Sequence, residues 1–174
     1  MPIVNSPTNT YERFIEFEEG AGEIYLHLAS RFASEDGELS AFWLGMAMEE
    51  KQHSVLLQFC LNEKWFAPSL PGEDEVRKYT AILQDLGRKC EDRYITKDEA
   101  FAMAAELEGS EINAIYCRLT NPLNVSPYLL KKKIVTSPFD HIGHLAAAGK
   151  QFKVSGETLK KLERLQESCV RVSV

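Results

Sequence analysis

Apolar residues recur at helical spacing over most of this chain, and no stretch shows the strict alternation of a strand. From Thr10 to about Ala33, Phe14, Phe17, Ala21, Tyr25, Leu28 and Phe32 share one face, before a break at Ser34 to Gly37. A second helix is predicted from Gly37 to about Glu63, with Leu39, Phe42, Met46, Leu57 and Cys60 on its stripe and the Pro68 to Gly72 segment ending it. Glu73 to Cys90 predicts a more polar helix within a connection. Asp98 to Leu119 is strongly amphipathic, starts near Thr96 or Lys97 and is stopped by Asn121-Pro122. Ser126-Pro127 has the form of an N-cap with proline in the first turn, opening a helix toward Phe152 with a kink near Pro138. Ser155 then caps a short tail helix from Glu157 to about Ser168.

The expected fold class is therefore all-α. At 174 residues the chain is one domain, with a core bundle over about residues 10 to 152 and a tail over 153 to 174. Four long helices, with one long connection from about Trp65 to Lys97 between the second and third, match the ferritin-like variant of the four-helix bundle, since an up-down-up-down bundle needs no such crossover.

The stripes are interrupted by groups that prefer water. At about 100° per residue, Glu50 and His53 fall in the same quarter of their helix as Leu39, Phe42, Met46, Leu57 and Cys60. A buried carboxylate needs a partner charge, a proton or a metal. On the first helix Glu18 sits among Phe14, Phe17, Ala21 and Tyr25; on the third, Glu108 and Glu111 share the stripe of Phe101, Ala104, Ile112, Ile115 and Leu119; on the fourth, His141 and His144 lie with Ile134, Leu145, Ala148 and Phe152. Each has a plain alternative: Glu18 snorkelling to water, Glu108 and Glu111 as solvated neighbours, the histidines satisfied by backbone. Four long helices that each aim a ligand-type side chain inward point instead to a shared metal site. His27, nine residues from Glu18, lies half a turn away and carries no role.

Composition removes other classes. The net charge of −6 argues against nucleic-acid partners and anionic membrane surfaces, and Lys131 to Lys133 is the only basic run. No segment approaches a membrane span and the N-terminus lacks a signal-peptide pattern, so the expected location is cytoplasmic. Cys60, Cys90, Cys117 and Cys169 form no Cys-x-x-Cys pair, which argues against zinc-knuckle, iron-sulfur and thioredoxin-type chemistry.

Glu18 with Ala21 and Tyr25, Glu50-x-x-His53, and Glu108-x-x-Glu111 with Tyr116 resemble the rubrerythrin branch of the ferritin-like superfamily, over about Tyr11 to Phe152. The resemblance implies a site for two iron ions that reduces hydrogen peroxide or dioxygen, while the mixed nitrogen and oxygen donor set also suits manganese and, through the extra imidazole, zinc. In that picture Glu50 and Glu108 are the catalytic carboxylates that bridge the metals at roughly 3.5 to 4 Å separation. Glu18 and Glu111 are terminal ligands of one metal, His141 and His144 of the other, and His53 completes the set. Tyr25 and Tyr116 either donate hydrogen bonds to the ligand carboxylates or simply pack in the core.

Two departures from the family pattern stand out. His141-x-x-His144 replaces the usual Glu-x-x-His of the fourth helix, so that one carboxylate becomes a neutral imidazole; Asp140, about 40° from His144, is an alternative donor if the helix distorts near Pro138. The tail has only Cys169 and no four-cysteine iron domain, so the reductant is an external electron donor. Trp43 and Ile24, outside the inner stripe, are candidate contacts for a homodimer. Two other function classes stand beside the oxidoreductase: a metal-binding or iron-handling protein without turnover, and a structural or interaction bundle whose metal site is altered or lost.

Overall fold

The computed structural model describes residues 6–91, 94–110, 112–120 and 138–172, with the backbone alone at 112–114, 138–139 and 168–172. Among these residues there are seven α-helices and no strand: α1 (Pro7–Phe32), α2 (Gly37–Glu63), α3 (Glu73–Cys90), α4 (Lys97–Glu108), α5 (Ile112–Thr120), α6 (Pro138–Gln151) and α7 (Gly156–Val172). No described helix is long and apolar enough to cross a membrane.

Local chemistry sets the helix ends. Ser6 caps α1 by accepting from the Asn9 amide, with Pro7 in the first turn, and Asp36 caps α2 by accepting from Leu39. At the end of α2, Lys64 adopts the left-handed conformation (φ 57°), and the Trp65 amide closes back onto the Cys60 carbonyl at 2.9 Å. Thr96 and Glu99 form a reciprocal capping box on α4. Ser155 accepts from the Thr158 amide, which starts α7 as expected.

The four-residue link between α1 and α2 makes them an αα-hairpin packed along its length. The long connection after α2 is not bare: it carries α3, which packs on α1 and α4. Tyr11 fastens the hairpin to the rest of the chain, because its hydroxyl donates to the Leu119 carbonyl at 2.6 Å and accepts from the Ala67 amide at 3.0 Å. Trp43 and its neighbours form an aromatic layer, with Trp43 stacked on Tyr25 at 5.8 Å and Phe42 on Phe101 at 5.7 Å. Phe14, Phe17 and Tyr79 form a second apolar group of edge-to-face rings.

Several expectations need correction. Asp98 to Leu119 is not one helix. α4 stops at Glu108, and the buried Ser110 hydroxyl bonds the Leu107 carbonyl at 2.5 Å, offering the backbone a local alternative to the helical ladder. The expected helix start at Ser126-Pro127 lies outside the described residues, and α6 is described from Pro138 onward. Trp43 and Ile24 are core, at 0% and 4% exposure, and present nothing to a second copy. The tail helix is longer than expected and belongs to the core, where it packs on α6 and α4 and buries Leu162 completely. Asp98, at the start of α4, holds it in place by accepting from the Ser155 amide at 2.5 Å and the Thr158 hydroxyl at 3.0 Å.

Candidate metal centre

Four helices bring carboxylates and imidazoles together within the apolar interior. Glu18 comes from α1, where Phe14, Phe17, Ala21 and Tyr25 flank it on the buried face. Glu50 and His53 come from α2, one turn apart on the face of Met46 and Leu57. Glu108 is the last residue of α4, and His141 lies in the first turn of α6. All five are at most 4% exposed. They form two triads, Glu18/Glu50/His53 and Glu50/Glu108/His141, in each of which one donor atom per residue lies within 4.8 Å of the others.

Glu50 belongs to both triads, and its two oxygens are divided between them. Oε2 accepts from His53 Nδ1 at 3.1 Å, while Oε1 lies 3.0 Å from His141 Nε2. His53 Nδ1 also stands 3.5 Å from Glu18 Oε2, and His141 Nε2 stands 3.0 Å from Glu108 Oε1. The Tyr25 hydroxyl donates to the same Glu108 oxygen at 2.5 Å, as one of the two readings of that tyrosine anticipates. Tyr116 instead packs its ring on His53 at 4.4 Å, and among the described residues its buried hydroxyl has no hydrogen-bond partner.

Two expected ligands remain, Glu111 and His144. Glu111 lies outside the described residues. His144 does not lie on the buried stripe: its side chain is 57% exposed, and its Nδ1 meets Glu49 Oε1 at 3.0 Å. The reason is the packing of α7 on α6, which widens the buried arc toward Ile142 and Ala146 and leaves Asp140, His144 and Ala147 together on the open side. Asp140 therefore does not replace His141, which is completely buried. His27 is exposed, with its Nδ1 against the Glu23 carbonyl, away from the centre.

Glu49 is the participant that sequence reasoning missed. Its Oε2 accepts from His141 Nδ1 at 2.5 Å, which fixes the ring so that Nε2 faces Glu50 and Glu108. The only signal available was its place next to Glu50. Periodicity puts Glu49 about 100° off the stripe and says nothing of which flank of α2 meets α6.

Protonation follows from burial and pairing. Burial pushes the Glu18 carboxyl up to about 8, only partly offset by its bond to His53. Burial also works against charge on Glu50, but His141 and His53 hold it far below the usual carboxylate range. Against the same burial, Glu18 and Glu50 raise His53 to about 10. His141 is likewise held well above the ordinary imidazole value, against desolvation, by the Glu108 and Glu50 charges. Burial and the Glu108 charge push the Tyr25 hydroxyl well above its ordinary value, so it keeps its proton and remains a donor.

The donor set suits a hard or borderline divalent cation. Carboxylate oxygens and imidazole nitrogens converge, and among the described residues no thiol takes part and the buried Glu18 Oε1 has no hydrogen-bond partner. Glu18, Glu50 and Glu108, with Glu49 behind His141, supply four carboxylates, enough to balance two divalent cations beside neutral imidazoles. Compared with protein-family models, curated proteins and solved structures, the chain matches none, so its chemistry is read from this geometry alone.

Proposed function

We propose that this chain is a ferritin-like, rubrerythrin-like protein that holds two divalent cations, iron foremost, and uses them to reduce hydrogen peroxide or dioxygen with electrons from an external donor. One observation carries the reading: a single buried carboxylate, Glu50, turns one oxygen to His53 and the other to His141, as a ligand shared by two metal positions must. Glu18 and His53 would complete one position, and Glu108 and His141 the other. Bound redox-active cations would supply the two electrons that, with two protons, convert peroxide to water or dioxygen to peroxide.

The chain's own residues supply the rest. Tyr25 holds a proton on its hydroxyl and orients Glu108. Glu49 fixes the His141 ring, and Glu50 ties the two positions together. Tyr25, which bonds Glu108, stacks on Trp43, and Tyr116 packs on His53, so aromatic surface adjoins the centre and strengthens the charge interactions within it.

A second reading has its own support: His53 and His141 satisfy the buried carboxylates as an ion network, which a structural bundle or a metal store without turnover would also use. The test is metal analysis of protein purified under iron-replete, anaerobic conditions, followed by peroxide. About two metals per chain, a new visible band and turnover support the proposal. Less than about one metal per chain favours the structural bundle, and full loading without turnover favours the store.

A further inference from the structure

We propose that the cleft between α1 and α2 is the route by which a divalent cation reaches the centre, with Glu19 and Glu23 at its mouth and Glu18 as the carboxylate that receives the ion. The inference rests on the reading of the buried triads as a metal centre. The cleft has a volume of about 470 Å³, and Glu18, Glu19, Gly22, Glu23, Ala47 and Lys51 are among the residues that line it. It reaches a residue of the centre. A larger cavity among the described residues, about 840 Å³ and lined by residues such as Lys89, Met103 and Arg164, does not.

The innermost wall points to an ion. Glu18 is 2% exposed, and among the described residues its Oε1 has no hydrogen-bond partner. Glu18 lines the cleft while this oxygen is sealed from solvent, and an unpartnered buried oxygen is a costly arrangement that a cation arriving by the cleft would relieve. The floor is thin at the same place. A Cβ added at Gly22, which lines the cleft, would stand 3.5 Å from the Ala47 carbonyl oxygen and 3.5 Å from the Glu50 Cβ, so the stem of the shared ligand lies against this glycine.

The mouth has the matching charge. Two carboxylates, Glu19 and Glu23, stand with one ammonium, and the Lys51 Nζ meets Glu19 Oε1 at 2.7 Å between side chains that are about half exposed. Such a pair is weak and readily exchanged, so an arriving cation can displace the lysine. Leu26, Leu44 and Met48 supply apolar walls that focus the field of the acids along the cleft.

The experiment follows cobalt(II) uptake by the metal-depleted full-length protein, through its visible absorption after rapid mixing, with equilibrium stoichiometry measured separately. The double variant Glu19→Gln/Glu23→Gln should load about tenfold more slowly at low salt, with the difference shrinking as salt rises, and should reach the parental stoichiometry. Glu12→Gln/Glu16→Gln, the same charge change on exposed positions of the same helix outside the cleft, should load at the parental rate. Gly22→Ala fits without a clash, thickens the floor and should also slow loading without changing its extent. Parental loading rates in both the mouth and floor variants, with full stoichiometry, overturn the route and leave the metal centre standing. Failure of the parent protein itself to bind cobalt overturns the centre and the route with it.

Discussion

Loading the centre should release about three protons per chain at pH 7. Glu18, with its carboxyl near 8, is about nine-tenths protonated at that pH, and His53, near 10, is fully so. His141, held well above its ordinary value with both ring nitrogens against carboxylates, brings the third. A cation needs all three groups deprotonated, so affinity should rise with pH and the proton count should fall to about two by pH 9, as Glu18 empties first. The sign for folding is the same for both groups. His53, raised from 6.5, contributes stability that is full below 6.5 and is lost as pH rises through about 10. Glu18, raised from 4.5, adds to the trend, because the unfolded chain ionises first and stability falls between 4.5 and about 8. Calorimetric titration in buffers of different ionisation enthalpy reads the proton count directly. Uptake of metal with no proton release at pH 7, or affinity that falls as pH rises, would refute the assignment of these groups.

Glu49→Ala should weaken metal binding about 10- to 100-fold in a chelator competition while leaving stoichiometry intact, because the variant frees the His141 ring without removing a ligand. Trp43→Ala should cost about 3 to 5 kcal/mol in urea unfolding, since it empties a fully buried site between Tyr25 and Phe101. Asp98→Ala should cost about 1 kcal/mol in the same assay by releasing the start of α7 from α4, and should leave cobalt uptake unchanged.

The helices were legible because their apolar faces are long and their caps are explicit. Asp36, Thr96 and Ser155 each cap the helix that follows them. Inward carboxylates and imidazoles were legible on the same ground: Glu18, Glu50, His53, Glu108 and His141 sit on their stripes. Partnership between helices was not. The break after Glu108 depends on a hydroxyl-to-carbonyl bond of Ser110 that periodicity cannot register. The exposure of His144 depends on α7 covering another side of α6, and the role of Glu49 on which flank of α2 faces α6. Trp43 and Ile24 read as outward-facing only while α1 and α2 were treated as having a single buried stripe each.

The most direct test of the account is the metal stoichiometry of Glu50→Gln against that of Glu18→Gln, each measured on anaerobically iron-loaded protein. Since Glu50 is common to both triads and Glu18 to one, the first variant should fall from about two metals per chain to nearly none, and the second to about one. Retention of a full single site in Glu50→Gln, or equal losses in the two variants, would contradict a centre built around one shared carboxylate.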